Sequence, residues 1–403
     1  MKNQLLTMSA TMTALALSAA SSHAANQDIS TAEIMALLKA QQAEIEQLKS
    51  QLANTNQKVD ATAGAVESVA SSAESIAKVA DWADRTHIGG YGEIHYNDKR
   101  NGKRDEVDNH RFVLFLEHEF NDKVRLMSEV ELEHSLAGDE KNGEVEVEQA
   151  FIEWDYAQNH SATIGQFLLP VGIINETHEP DTFYGVERNA VESNIIPATW
   201  WEAGVKLHGE IMPALSYDLA VHSGLNTDFS GSKAFDIRSG REKVSQASAE
   251  EFAYTGRLKY TGLPGLELAL SVQYQEDLTQ GLGADKADAL LYEGHFWYQA
   301  DRFGLRGLYA AWDIDGAEAE VFGRDEQEGW YLEPSWRFTP QLGVFARYSE
   351  WDKTAGNNAD TEVEQIDLGF NYWLVENVVL KMDWADQSNG DGDSLNLGVG
   401  WSF

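Results

Sequence analysis

The stretch Leu395-Asn396-Leu397-Gly398-Val399-Gly400-Trp401-Ser402-Phe403 decides the fold. Apolar side chains occupy every second position and small or polar ones fill the gaps, the period-2 signature of a strand with two unlike faces. The same alternation runs through Leu266, Leu268, Leu270, Val272 and Tyr274 against Glu267, Ala269, Ser271, Gln273 and Gln275, and through Val378, Leu380, Met382 and Trp384 against Val379, Lys381, Asp383 and Ala385. A soluble sandwich could alternate in this way. These runs, however, reach about ten residues, against ~5–6 in soluble sheets, and many end in Trp, Tyr or Phe, as strands do where an aromatic girdle meets lipid head groups. We therefore expect lipid outside and water inside.

The connections set the strand number. Tight turns are expected at 121–123, 157–160, 212–213, 262–265, 300–301, 339–340 and 375–377, and long loops near 98–108, 136–143, 168–200, 225–248, 278–286, 314–325, 353–360 and 387–393. Alternating short and long connections describe an all-β transmembrane barrel of 16 antiparallel strands over residues 86–403, with short periplasmic turns and longer external loops. Pro334 lies inside the run 329–338. A closed barrel has no free edge for a missing N–H donor, so a bulge is expected there.

Upstream of residue 86 the period changes. Ile34, Leu38, Gln41, Ile45, Leu48, Leu52, Thr55, Val59, Thr62, Val66, Val69, Ala73, Ile76 and Ala80 follow at alternating spacings of four and three, an α-helical coiled-coil seam. Ile and Val on both core rows favour three strands. A flexible Ala/Ser-rich spacer over about 61–77 is the alternative reading. Residues 1–24 read as a signal peptide, with Lys2, the apolar stretch Leu5–Ala20 and the small-x-small site Ser22-His23-Ala24. Residues 25–85 then form a periplasmic coiled coil and linker, and the chain resides in a bacterial outer membrane.

Composition narrows the function. The chain carries 66 acidic and 30 basic side chains, and residues 86–403 alone have a net charge of −33. Nucleic acid is excluded as a partner, since phosphate binding needs clustered Lys and Arg. There is no cysteine, hence no thiolate site and no disulfide. His178 and Glu179 are conceivable metal ligands, as are His110 or His118 with nearby glutamates, but none sits in an HExxH-type spacing. No GxSxG, P-loop or GxGxxG is present. No enzymatic activity, cofactor or metal is expected.

The segment 168–200, LLPVGIINETHEPDTFYGVERNAVESNIIPATW, holds three of the seven prolines and a dense mixture of Ile, Phe, Tyr and acids. A long loop with its own hydrophobic content folds against something. Following the fifth strand, it is expected to fold into the lumen and narrow it. The run from Gln149 to Glu210, together with IGGYGEIHYN at 88–97 and HRFVLFLEHEFND at 110–122, resembles the signature region of the phosphate-selective porin O and P family. That resemblance implies a trimeric sixteen-stranded porin, in which selectivity for phosphate rests on a ladder of arginines and lysines.

Charge departs from that implication. Alternation assigns Lys206, Arg257, Lys259, Arg306, Arg337, Arg347 and Lys381 to a basic pore wall, while the loop contributes Glu176, His178, Glu179, Asp181, Glu187, Arg188 and Glu192 to a constriction. An acidic loop facing a basic wall would set up a transverse field that lets ions of both signs pass. The expected function is passive, weakly selective diffusion of small hydrophilic solutes or ions. Phosphate or anion selectivity is the alternative, and a structural tether from outer membrane to cell wall is another. Expected partners are membrane lipid, lipopolysaccharide, two further copies of the chain in a homotrimer, and peptidoglycan through the coiled coil.

Overall fold

The computed structural model describes residues 30–100, 103–136 and 143–403. The proposed signal peptide and the start of the periplasmic segment lie outside the described residues. The chain divides into two compact units, Met1–Ala80 and Asp81–Phe403.

The first unit is helical. α1 (Thr31–Asp84) runs without a break, so the spacer reading of 61–77 does not hold. Its start is a capping box: the Ser30 backbone N–H donates to Glu33 Oε2 (3.0 Å), and the Glu33 N–H donates to Ser30 Oγ (3.3 Å). Hydroxyls on the seam, Thr55 and Thr62, and beside it are absorbed locally. Thr55, Thr62, Ser72 and Ser75 each donate to the carbonyl four residues back, which lets them sit in a helix interior. Ile34, Leu48 and Ile76 on the seam are 48%, 56% and 69% exposed. No described helix is long and apolar enough to cross a membrane, a statement that does not bear on crossing by strands.

The second unit is a closed antiparallel barrel. Its strands are β1 (Thr86–Lys99), β2 (Glu106–Asn121), β3 (Val124–Glu133), β4 (Val145–Ala157), β5 (His160–Leu168), β6 (Trp201–Met212), β7 (Leu215–His222), β8 (Ala253–Leu263), β9 (Leu266–Gln275), β10 (Asp288–Ala300), β11 (Phe303–Asp315), β12 (Glu326–Arg337), β13 (Leu342–Asp352), β14 (Val363–Val375), β15 (Val378–Gln387) and β16 (Ser394–Ser402). Two short helices, α2 (Ala190–Asn194) and α3 (Ala317–Phe322), sit in long loops. Every strand pairs with its sequence neighbour, and β1 closes on β16 from Tyr91↔Ser402 to Lys99↔Ser394. The seven tight turns and eight long loops fall where the alternation placed them.

Burial is inside out. On β9, Leu268, Leu270 and Val272 are exposed, whereas Ser271, Gln273 and Gln275 are buried. Apolar side chains outside and polar ones inside are what a lipid-embedded, water-lined barrel requires. His118 falls on the outer side and bonds Thr86 Oγ1 at 2.8 Å.

The bulge expected at Pro334 is absent. Pairing between β12 and β13 lapses only at Glu333 and Pro334 and resumes in the same register, Leu332↔Tyr348 before and Ser335↔Phe345 after. On the other side Leu305↔Pro334 is kept. One missing donor is absorbed by a local gap in one ladder, with no residue inserted.

Candidate functional site

The loop between β5 and β6 does fold inward, and it crosses the lumen. Glu176 meets Arg257 on β8, His178 turns to β3 and β4, and the Thr182 carbonyl accepts from Arg306 on β11 at 2.9 Å. Beyond these, the Tyr184 carbonyl accepts from Arg347 on β13 (2.7 Å), the Val186 N–H donates to Asp383 on β15 (2.5 Å), and Glu187 reaches His95 and Asn97 on β1 (both 3.1 Å). The small face of β16 is the floor of this crossing: Pro180 packs over Gly400 and Val186 over Gly398.

The loop carries its own core. Val191, Ile195, Ile196 and Trp200 are fully buried with Leu291, Trp312 and Tyr331 of the wall, and Trp312 Nε1 donates to the Ile195 carbonyl at 2.9 Å. Burial of each such side chain contributes roughly 1.5–3 kcal/mol. Glu192 belongs to this core. It is 0% exposed and accepts from the backbone N–H groups of Ile173 (2.9 Å) and Ile174 (2.7 Å) and from the Tyr331 hydroxyl (2.9 Å). Gly172, at φ +80°, leaves the room: a Cβ there would stand 2.6 Å from Glu192 Oε2.

A second loop, 225–248, also enters the lumen. Phe235 and Ile237 are fully buried, Gln327 and Arg324 donate to the Phe235 and Ala234 carbonyls, and Asp236 pairs with Lys353. Its apolar residues, Leu225, Phe229, Ala234, Phe235, Ile237, Val244 and Ala247, are scattered through a polar run, too sparse a signal to separate it from an ordinary surface loop. With both loops packed against β9–β13, open space remains beside β1, β2 and β13–β16. It includes a cavity of about 330 Å³ lined by Glu93, Arg111, Glu187, Arg188, Arg238 and Arg347, among others.

The charges sort differently from the expectation. Of the seven bases assigned to the wall, Arg347 lines that cavity and is tied to Glu333 (2.8 Å) and Asp367 (3.3 Å). Arg257 is taken up by Asp218 and Glu176, and Lys206 lies 3.8 Å from Glu176. Lys259 faces Glu267 at 3.9 Å. Arg306, Arg337 and Lys381 lie over the rings of Trp297, Trp373 and Phe183 at 4.1, 3.9 and 3.6 Å.

The loop acids are likewise engaged: Asp181 accepts from Ser402 Oγ (2.8 Å), Glu187 bonds β1, and Glu192 is structural. Glu179 is partly buried. An acidic loop opposite a basic wall is thus realised only around Glu176. His178 does not line the pore. It is buried, and although burial opposes its charge, Glu129 and Glu148 carry its pKa up to about 9.

Of the bases that remain, Arg188 was assigned to the constriction from the sequence, whereas Arg238 and Arg241 were missed. Arg188 bonds Thr199 Oγ1 at 3.1 Å, Arg238 the carbonyls of Ser193 (3.2 Å) and Ala198 (2.7 Å), and Arg241 the Thr199 and Arg238 carbonyls. None has a carboxylate partner among the described residues. Burial and neighbouring Arg111 lower the Arg188 pKa. The three border one cavity together with Glu133, Glu146 and Glu148 of the wall. Two of them stand on loop 225–248, so only its fold brings them to the pore.

A closed, inside-out barrel of sixteen strands, narrowed by an inward loop and lined by charge, is an outer-membrane porin and forms a diffusion channel. The chain belongs to the phosphate-selective porin O and P family, whose sequence profile matches residues 87–396. An uncharacterized protein of Aquifex aeolicus (strain VF5) is 28% identical over 354 residues, covering 78% of this chain and 79% of that one.

Among solved structures, OmpF of Salmonella typhi in complex with daunomycin is similar at TM-score 0.57 and 14% identity, over 79% of this chain and 97% of that one. The outer membrane channel DcaP of Acinetobacter baumannii is similar at TM-score 0.55 and 12% identity, over 79% and 97%. An anion-selective porin from Comamonas acidovorans is similar at TM-score 0.54 and 12% identity, over 79% and 99%.

Proposed function

We propose that the barrel is a weakly selective, non-catalytic channel for small hydrophilic solutes and ions, with a transverse field of reversed polarity. Bases on the loops, Arg188, Arg238 and Arg241, face acids on the wall, Glu133, Glu146 and Glu148. The observation that carries this reading is that, among the described residues, those three arginines have no carboxylate partner although they border Glu133, Glu148 and Glu146, the last paired with Lys243. Opposed fixed charges across a narrow point orient dipolar solutes and offer each ion a counter-charge.

The test is a bilayer reversal potential under a salt gradient. A cation-to-anion permeability ratio within tenfold of unity, equivalent to less than ~1.4 kcal/mol, supports weak selectivity. Strong anion preference with phosphate blocking chloride current instead supports an anion channel. That second reading is favoured by the same arginines, by the family's name and by the anion-selective porin from Comamonas acidovorans.

The assembly we infer is a homotrimer. An apolar seam left exposed along α1 is stable in water only when covered, and Ile and Val on both rows suit a three-stranded coil. The seam sits on the periplasmic side in this reading, where it is also placed to reach peptidoglycan. Outer-membrane lipid and lipopolysaccharide surround the barrel. Crosslinking of purified full-length protein in detergent tests the subunit number.

A further inference from the structure

Where loop residue His178 meets the wall, three ligand-type atoms converge within 4.8 Å of one another. Glu129 on β3, Glu148 on β4 and His178 are 1%, 1% and 3% exposed. His178 Nε2 stands 3.6 Å from Glu129 Oε1 and 3.5 Å from Glu148 Oε2. Both separations exceed the ~2.7–3.2 Å of an N–H···O hydrogen bond. Among the described residues, Glu129 Oε1, both oxygens of Glu148 and His178 Nε2 have no hydrogen-bond partner despite burial and meet only as these long ion pairs, a costly state for carboxylates.

The atoms that face away are, by contrast, held. Gln149 donates to Glu129 Oε2 at 2.6 Å, and His178 Nδ1 lies 3.2 Å from the Asn175 carbonyl. With Nδ1–H bonded to a backbone carbonyl, a metal ion that displaces the Nε2 proton meets a lone pair pointing at the two carboxylates. That is how the outer contacts of a metal-bound histidine set its tautomer. Two ligands on a tetrahedral ion with bonds of ~2.0–2.2 Å are separated by about 3.4 Å, close to the two separations from His178 Nε2. The nearby Arg111 is spent on Glu93 (2.7 Å) and Glu131 (3.7 Å). The buried Tyr91 hydroxyl, also without a partner, belongs to the same pocket, its ring set edge-on to His178 at 5.8 Å.

We propose that Glu129, Glu148 and His178 bind one divalent transition-metal ion, which clips the lumen loop to β3 and β4. One imidazole and two carboxylates suit Zn²⁺ and its neighbours better than Ca²⁺ or Mg²⁺, which take oxygen ligands. The three residues come from three separate segments, so no linear spacing reveals the site. Of the wall acids in the proposed field only Glu148 is shared with this site, so metal binding is read by its own assay and not by selectivity.

The test uses the full chain, refolded in detergent after EDTA treatment and titrated with Zn²⁺ by calorimetry. Bound metal is counted by elemental analysis, and Co²⁺ absorption reports the coordination. One ion per chain is expected. Glu148→Gln and His178→Ala should each weaken binding by more than about tenfold, while His110→Ala, in the separate Asp108–His110–His134 cluster, leaves it unchanged. Glu129→Gln serves as a third variant should either of the others fail to give a heat-modifiable barrel. Absence of bound Zn²⁺ in the unmodified protein, or affinity lost on His110→Ala but not on Glu148→Gln, overturns the proposal.

Discussion

Pro180 of the lumen loop rests on Gly400 of the final strand so closely that a Cβ at Gly400 would lie 2.4 Å from the proline Cβ. The lumen-facing side of β16 is small because the loop occupies the space a side chain would fill. Gly400→Val should therefore lift the loop without breaking the barrel. We expect raised and noisier single-channel conductance, with the heat-modifiable gel mobility of the folded barrel retained. Conductance equal to that of the unmodified protein would show that the loop does not bear on β16.

A loop core predicts a stability effect at Glu192. Glu192→Ala leaves the Ile173 and Ile174 N–H groups and the Tyr331 hydroxyl, all now bonded to that carboxylate, without a partner. At ~1–3 kcal/mol for each of these three buried groups left unmatched, a loss of about 3 kcal/mol or more is expected. Denaturant unfolding in detergent measures it. Glu192→Gln, which keeps an acceptor oxygen, should lose less.

The barrel was legible in the sequence because lipid on one side and water on the other impose a period of two on every strand, as Leu266–Gln275 and Leu395–Phe403 both show. Loop 168–200 was legible because apolar residues are dense throughout it. The pore charges were not. Alternation tells which face Arg257 or Arg347 is on, but it cannot tell that Asp218 or Glu333 neutralises it, since partners lie 39 and 14 residues away. Arg238 and Arg241 were invisible for a related reason: their place in the lumen depends on Phe235 and Ile237 finding a slot between wall strands. Pro334 shows the opposite error, a local rule applied where one ladder gap suffices.

Loop 225–248 should respond to acid. Burial alone would raise the Asp236 pKa, but Lys353 outweighs it and holds the carboxyl below the usual aspartate value. A depressed carboxylate pKa contributes stability that is complete above the unfolded value of ~3.9 and is lost as the pH falls through the folded one. Hydrogen exchange at 234–240, corrected for intrinsic rate, should be unchanged between neutral pH and about pH 5 and rise below about pH 4. Lys353→Met should produce the faster exchange already at neutral pH.

The helical unit is expected to be dispensable for insertion. Every barrel strand pairs within its own chain, whereas the exposed seam of α1 can only contribute association. Deleting residues 25–80 should leave a barrel that refolds in detergent and conducts. A Leu48→Asp, Leu52→Asp double variant of the full chain should weaken the trimer without affecting barrel formation, read by crosslinking and by gel mobility in parallel. Loss of insertion on deletion would mean that the helix takes part in folding the barrel.

Selectivity gives the sharpest test, because the bases of the pore differ in what they touch. Arg306 and Arg337 face aromatic rings, and Arg306 also bonds the Thr182 carbonyl, so they supply charge but stand away from the open cavity beside β1 and β2. Arg188 and Arg238 border that cavity with no carboxylate partner among the described residues. Neutralising a fixed charge changes permeation most where the path is narrow and the charge uncompensated. Arg188→Gln with Arg238→Gln should therefore move the reversal potential toward cations by more than Arg306→Gln with Arg337→Gln. Glu176→Gln should have little effect in either direction, since it uncovers Arg257 while Asp218 still compensates that guanidinium. If the Arg306 and Arg337 pair gives the larger shift, the ion path runs along β11 and β12, and the loops, not the wall near β1, close the other side.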